Sequence, residues 1–158
     1  MRRVVLILAL VAACRSPAAP PAPGDPVRFR AISEKLNPAP CTDGPSFMAA
    51  PSESRWIDVF DRQTACLPGA KVRLPTVDFR RFVGVAAWWG RRGCAGDGVR
   101  TQRVEYRDGE VTVTATASDA CASPTGALES FLAIRRPGPP ITTIRFVLDG
   151  QELGRAVI

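Results

Sequence analysis

Histidine is absent from all 158 residues of the chain. Without an imidazole the protein cannot assemble a Ser-His-Asp or Cys-His nucleophile, or a metal site that requires histidine. The 15 acidic residues are scattered, and none of them has the spacing of a known calcium loop. These absences predict a protein that is not an enzyme and that uses no metal or other cofactor.

Long apolar runs are also missing from the sequence. The run from Val4 to Ala13 has ten residues, whereas a helix that crosses a bilayer needs about 20. Because this run follows Arg2 and Arg3, residues 1–13 have the basic start and the short apolar stretch that are typical of a secretory signal peptide.

Cys14 follows this stretch directly, after the small or apolar residues Val11, Ala12 and Ala13. This order resembles the lipobox of bacterial lipoproteins, in which the cysteine becomes the first residue of the mature chain and receives a diacylglycerol. The resemblance implies a lipoprotein of the bacterial cell envelope that is lipidated at Cys14 and held at a membrane by fatty acids such as palmitate. The alternative is an ordinary secretory cleavage that leaves a spare cysteine.

Residues 14–26 contain five prolines among alanines. This composition neither packs a core nor builds a helix, so we expect an extended tether after the lipidated cysteine. Residues 27–158 then form a single folded domain. Removal of Arg2 and Arg3 lowers the 21 basic residues to 19 against 15 acidic ones, a net charge of +4. This modest charge in an exported protein makes nucleic acid a poor partner.

The predicted domain contains four cysteines, none of them in a Cys-x-x-Cys pair: Cys41, Cys66, Cys94 and Cys121. Outside the cytoplasm, an even number of cysteines without histidine favours two disulfides over a metal site. Four cysteines allow three pairings. If the ladder of a hairpin that turns at Asp108-Gly109 is continued, it brings Cys94 close to Cys121. We therefore predict a Cys94–Cys121 disulfide, with Cys41–Cys66 by elimination.

The periodicity of the domain predicts one helix among short strands. The helix runs from Glu53 to Gln63, because Ser52 can cap it and because Trp56, Val59 and Phe60 recur on one face. Strands are predicted at Val27 to Ile32, Ser46 to Ala50, Arg81 to Trp89, Gly98 to Tyr106, Glu110 to Ala117, Leu128 to Ile134, Ile144 to Leu148 and Gln151 to Val157. These elements predict an α+β fold that is mainly antiparallel, in which one helix covers a compact sheet or partly open barrel that disulfides staple.

A second Asp-Gly dipeptide, at Asp149-Gly150, predicts another two-residue hairpin turn. Counting outward from that turn places Phe146 opposite Leu153.

The strand from Arg81 to Trp89 is the most apolar segment of the domain, and it ends in two tryptophans. Neighbouring side chains in a strand point to opposite faces, so Trp88 and Trp89 cannot both enter the same core. One interpretation exposes a tryptophan as a contact for a sugar or a protein. The other, which we favour, places the tryptophan that is outside the core under the helix. Trp88, Trp89, Arg91 and Arg92 are the candidate partner contacts.

Arginine doublets occur at Arg80-Arg81, Arg91-Arg92 and Arg135-Arg136. Such doublets can contact anionic lipid head groups or an acidic partner. A solvated surface is the favoured interpretation, because no doublet extends into a longer like-charged block.

Several motifs follow one another in a recognisable order: a helix with Trp56, the lead Val77-Asp78-Phe79, an apolar strand that ends at Gly90, and a hairpin that turns at Asp108-Gly109. This order resembles the PrcB C-terminal domain family, named for a protein that stabilises a bacterial protease complex, and the likeness covers roughly residues 50–136. In place of the family's usual Thr-Gly-Gly-Tyr loop, the chain has a different glycine-rich loop around Cys94.

The resemblance implies a non-catalytic module of the envelope that binds another protein and stabilises or modulates a protease complex. The alternative function is an envelope module that binds a small ligand or a glycan through Trp88 or Trp89.

Overall fold

The computed structural model describes residues 24–32, 44–64, 74–91, 99–117 and 127–158 of the chain. Nine strands and one helix occur in these described residues. In chain order they are β1 (Asp25–Pro26), β2 (Phe29–Ala31), β3 (Ser46–Ala50), α1 (Glu53–Thr64), β4 (Phe82–Arg91), β5 (Val99–Arg107), β6 (Glu110–Ala117), β7 (Ala127–Arg135), β8 (Thr143–Leu148) and β9 (Gln151–Val157).

The strands form two sheets. One has five strands in the order β1-β5-β6-β8-β9, and the other has four in the order β2-β7-β4-β3. Paired strands are antiparallel except β6 and β8, which run parallel. The predicted α+β fold, mainly antiparallel with one covering helix, is confirmed. The prediction of one compact sheet or a partly open barrel is wrong, because the core lies between two separate layers.

β4 lies inside the four-stranded sheet and is apolar on both faces, because it packs against two layers at once. Val83, Val85 and Trp89 join the central core between the sheets. The alternate residues Ala86 and Trp88 join a second core on the outer face of the same sheet. The sequence of β4 is almost entirely apolar because the four-stranded sheet is the middle layer of three, between the five-stranded sheet and α1.

α1 covers the outer face of the four-stranded sheet. The backbone N–H of Arg55 donates to the Oγ of Ser52 at 3.4 Å, so Ser52 caps the N-terminus of the helix as predicted. Trp56, Val59 and Phe60 are buried in the second core. Gly84 of β4 leaves room for this helix, since a Cβ at that position would lie 2.8 Å from Cε3 of Trp56.

The β5–β6 hairpin turns at Asp108 and Gly109, as predicted. Both residues have positive φ angles, of 48° and 85°, which a two-residue turn of this kind requires. Arg107 pairs with Glu110, the pair that this turn defines. Farther from the turn, a bulge just before Arg103 shifts the register by one residue.

The β8–β9 hairpin turns at the predicted Asp149-Gly150, but its register is not the predicted one. Phe146 lies opposite Gly154 instead of Leu153, because a bulge intervenes. A Cβ at Gly154 would lie 2.7 Å from Cδ2 of Phe47, whose ring stacks on Phe146 with centroids 4.4 Å apart. The bulge thus places Gly154, which has no side chain, next to the Phe47 ring, and this ring can therefore pack in the central core.

The predicted strand from Val27 to Ile32 is divided between the two sheets. Asp25 and Pro26 pair with β5, whereas Phe29–Ala31 pair with β7. The chain therefore crosses from one layer to the other at its first described residues. Strand pairing also begins within the range that composition predicts as tether.

Candidate functional site

Most of the predicted site residues lie outside the described residues. These are the lipidation candidate Cys14, the disulfide candidates Cys41, Cys66, Cys94 and Cys121, and the partner-contact candidate Arg92. Arg91 ends β4, but its side chain is also outside the description. Lipidation and both disulfide pairings therefore stay predictions.

Trp88 and Trp89 are both buried, with exposed fractions of 3% and 1%. Trp89 points into the central core, where its Nε1 donates to the Oγ of Ser130 at 3.1 Å. Trp88 lies in the second core with α1, edge-on to Phe131 at a centroid distance of 5.6 Å. The prediction that one tryptophan lies under the helix is confirmed. The pair offers no contact surface, so the alternative of a ligand or glycan site on Trp88 or Trp89 loses its basis.

Glu129 lies on β7 directly opposite Trp88. Burial raises the pKa of the Glu129 carboxyl to about 7, and a hydrogen bond with the Trp88 side chain offsets part of that rise. A carboxyl with this pKa changes its charge near neutral pH. Because its partner is a buried core side chain, we connect this proton to the stability of the fold rather than to a reaction.

The outer face of the five-stranded sheet has a different character. The residues that alternate with its buried core positions are polar or charged on most strands. We call this surface the open face; its members are Arg103, Glu105, Arg107, Glu110, Thr112, Thr114, Arg145, Val147, Glu152 and Arg155.

A network of ion pairs joins β6, β8 and β9 on the open face, toward the β9 edge of the sheet. The guanidinium nitrogens of Arg145 lie 3.1 Å from a carboxylate oxygen of Glu110 and 3.8 Å from one of Glu152. Those of Arg155 lie 2.9 Å from a carboxylate oxygen of Glu110 and 2.8 Å from one of Glu152. Two guanidinium nitrogens of Arg145 also donate to the Oγ1 of Thr112, at 3.3 Å and 3.0 Å. Hydrogen bonding to Arg155 lowers the pKa of Glu152. The network therefore holds ionised groups from β6, β8 and β9 in one arrangement.

A depression of about 760 Å³ opens on this face. It is lined by residues of β5, β6 and β8, including Arg103, Glu110, Thr114 and Arg145, and by Gly24 at the start of the described chain. Small-molecule pockets enclose most of their ligand, whereas this depression is open to solvent and has side chains of both charge signs in its lining. Its chemistry is that of a polar protein interface, with guanidinium donors and carboxylate acceptors side by side.

A smaller cavity of about 220 Å³ lies between α1, β3 and β9. Its lining includes Phe47, Val59 and Val157 together with Asp58 and Arg155. Its volume is below the range of about 300 to 1,000 Å³ that is typical of ligand pockets, whereas the volume of the depression on the open face lies within that range. The larger depression is therefore the stronger candidate for recognition.

Within the described ranges, no group of three or more histidine, cysteine, aspartate or glutamate residues could hold a metal ion. In the same residues, no helix has the length and apolar character needed to cross a membrane.

No known protein family, no curated protein and no solved structure matches the chain. The resemblance to the PrcB C-terminal domain family therefore stays a prediction.

Proposed function

We propose that this protein is a lipid-anchored module of the bacterial cell envelope that binds another protein through its open face and catalyses no reaction. The observation that carries the proposal is the open face itself, where fixed charges of both signs surround a depression of about 760 Å³. The buried Trp88 and Trp89 play no part in this binding.

The composition of the open face suits recognition of a protein. Arginine is enriched in protein interfaces whereas glutamate is depleted there, so the four arginines of this face support the proposal and its three glutamates do not. The arginines and glutamates of the open face favour a partner that places a negative charge opposite each arginine and a positive charge opposite each glutamate. The reverse arrangement would bring like charges together, at a cost of several kcal/mol. The partner is therefore a polar protein surface that carries both signs of charge.

The network already holds the side chains that a partner would contact. Long charged side chains lose about 0.5–1.5 kcal/mol each when binding immobilises them. Arg145 and Arg155 are each held by two carboxylates before any partner arrives, so this cost is smaller for them. A component of a protease complex is the partner that the family resemblance suggests, and stabilisation of such a complex requires only binding.

Photo-crosslinking in bacterial cells tests the binding surface. A photoreactive amino acid replaces Thr114, which lines the depression, in the full chain. We expect a reproducible covalent adduct with one protein, and loss of that adduct when Glu152→Arg reverses a charge of the network. The matched control places the same amino acid at Glu53, an exposed residue in the first turn of α1. No adduct at Thr114, or equal adducts at both positions, overturns the proposal.

The anchor is tested separately by metabolic palmitate labelling and envelope fractionation. The full chain should incorporate the label and sediment with membranes, whereas Cys14→Ala should do neither, because the thiol that receives the lipid is gone. Label that persists in Cys14→Ala refutes lipidation at this residue.

A further inference from the structure

Six exposed arginines come together at one end of the four-stranded sheet. They belong to the start of β2, the turn before β4 and the end of β7. We call this surface the arginine end; its members are Arg28, Arg30, Arg80, Arg81, Arg135 and Arg136.

Backbone pairing brings these residues together from three distant parts of the sequence. The N–H of Arg135 donates to the carbonyl of Arg28 at 2.9 Å, and the N–H of Arg136 donates to the carbonyl of Arg81 at 2.8 Å. Phe82, the first residue of β4, is the direct partner of Arg135 in the sheet. Two of the three arginine doublets in the sequence thus meet in one surface.

Several of the guanidinium groups are held in place by uncharged contacts. The guanidinium carbon of Arg30 lies 5.5 Å from the centroid of the Phe82 ring, and that of Arg81 lies 5.9 Å from the same centroid. A guanidinium nitrogen of Arg30 also donates to the backbone carbonyl of Thr76 at 3.1 Å. Arg136 donates to two backbone carbonyl oxygens, at 3.2 Å and 2.7 Å. These contacts orient the side chains and leave their positive charge uncompensated.

The arginine end has little opposing charge. In the residues that the structure describes, none of its six side chains forms an ion pair with a carboxylate. Asp78 is close, but its Oδ1 accepts a hydrogen bond from the backbone of Arg80 at 3.2 Å. Six positive charges against this one carboxylate leave a local charge of +5, compared with +6 for the whole chain. Like charges gathered without counterions indicate an anionic ligand.

The chain that leads to this surface restricts what the ligand is. Arg28 is four positions beyond Gly24, the first described residue, and Gly24 is ten positions beyond Cys14. A proline-rich segment of this length would span about 31 Å as an extended spacer, at about 3.1 Å per residue. If Cys14 carries a lipid, the whole domain, the arginine end included, stays within reach of the bilayer. Guanidinium groups bind phosphate with two parallel hydrogen bonds, and a bilayer presents a continuous layer of phosphates.

We propose that the arginine end binds the head groups of anionic phospholipids and holds the domain against the membrane. The proposal rests on the lipid anchor of the proposed function, and it assigns the membrane and the partner protein to two separate surfaces. Each arginine near an anionic surface raises the binding constant about fivefold, and salt screens the effect.

The experiment uses the full lipidated chain reconstituted in vesicles of phosphatidylcholine alone, or of phosphatidylcholine and phosphatidylglycerol in equal parts. An arginine-specific reagent, phenylglyoxal, is applied, and each modified residue is quantified by mass spectrometry. We expect the arginine end to be protected in the anionic vesicles at low salt and to be modified in neutral vesicles or in 0.5 M NaCl (about 4 Å of screening length). Arg100 of β5, on the other sheet and outside the open face, should react equally in both kinds of vesicle.

One double variant and a pair of matched single variants sharpen the test. Arg28→Gln/Arg135→Gln removes two charges from the arginine end, and neither side chain has a hydrogen bond or ion pair within the described residues. This variant should dock about 25-fold more weakly on the anionic vesicles, at about fivefold per arginine. Arg100→Gln removes one charge from β5 outside the open face and should dock as the unmodified chain does, whereas Arg28→Gln alone should dock about fivefold more weakly.

The outcomes separate this proposal from the anchor. Flotation with neutral vesicles depends on the acyl chains alone, so its failure refutes the anchor. Flotation without protection of the arginine end in anionic vesicles refutes the head-group proposal and leaves the anchor standing. Polyglutamate added to the neutral vesicles is the third arm: if it protects the arginine end and phosphatidylglycerol does not, the ligand is an acidic protein, and the proposal is overturned.

Discussion

The two sheets present opposite outer faces. The four-stranded sheet is covered by α1, and aromatic rings of Trp56, Phe60, Trp88 and Phe131 fill the space between them. The five-stranded sheet exposes the open face, where Arg145 and Arg155 form ion pairs with the same two carboxylates. The first face stabilises the fold, and the second is the face that we propose for recognition.

The energies of the two kinds of contact explain this division. Burial of a large aromatic side chain contributes several kcal/mol, whereas an exposed ion pair contributes about 1 kcal/mol or less. Residues of the open face can therefore be exchanged without unfolding the domain. Residues under α1 cannot, because each ring packs against several others.

The largest effect is expected for Trp56→Ala. The Trp56 ring is buried, contacts Phe60 at a centroid distance of 4.8 Å, and donates from its Nε1 to the carbonyl of Pro75 at 3.0 Å. Its removal should lower the free energy of unfolding by about 3–5 kcal/mol. Ile57→Ala is the matched control, because the neighbouring side chain is 40% exposed and should cost less than about 1 kcal/mol. Equal losses in urea unfolding would contradict the structural role of the covered face.

A smaller loss is expected where the bulge of β9 admits Phe47. Gly154→Ala adds a Cβ at 2.7 Å from that ring, so Phe47 must shift away from Phe146. We expect a loss of about 1–3 kcal/mol. A Cβ at Gly138 meets nothing within 4 Å, and Gly138→Ala should change the unfolding free energy by about 0.5 kcal/mol or less. Thermal melting compares the two variants. An unchanged melting temperature for Gly154→Ala would contradict the close packing of Phe47 against Gly154.

The stability of the fold should depend on pH through Glu129. Because burial raises the pKa of Glu129 from 4.5 to about 7, the folded protein binds more protons than the unfolded chain between these values. Stability from this residue is complete below pH 4.5 and is lost as the pH rises through about 7. Glu129→Gln should remove this dependence and stabilise the protein at pH 8 by about 1 kcal/mol, a figure reduced for the partial exposure of the carboxyl.

Urea unfolding of Glu129→Gln and the unmodified chain at pH 5 and pH 8 measures this effect. Glu53→Gln, on the exposed first turn of α1, is the control that should leave the pH profile unchanged. Parallel profiles for the unmodified chain and Glu129→Gln would contradict the raised pKa.

Local signals in the sequence predict much of the fold. α1 begins at the predicted Glu53, because the cap and the apolar stripe are both local features. Both Asp-Gly turns are correct, since positive φ is a property of those two residues. β3 and β6 have the predicted bounds. Both tryptophans are accommodated because β4 is packed on two sides, as its apolar sequence indicates.

Non-local packing decides what these signals miss. The register of β9 depends on the ring of Phe47, which is more than 100 residues away in the sequence. β6 and β8 pair in parallel, and between them the chain forms β7 in the other sheet. Because the two strands are not joined by a hairpin, no local turn signal predicts their pairing. The open face therefore escapes sequence analysis, because its network joins Glu110 of β6 to arginines of β8 and β9. The arginine end escapes for the same reason, since three separated segments build it.

The most direct test of the division between the two faces is the dissociation constant of the crosslinked partner for Thr114→Tyr. Thr114 lines the depression, and tyrosine suits a strand, so the substitution fills the open face without disturbing the core. Val157→Tyr adds the same ring to β9 outside the depression, at a side chain that is 80% exposed. We predict binding at least about tenfold weaker for Thr114→Tyr, a loss of about 1.4 kcal/mol, and unchanged binding for Val157→Tyr. Equal dissociation constants for the two variants would contradict the assignment of recognition to the open face.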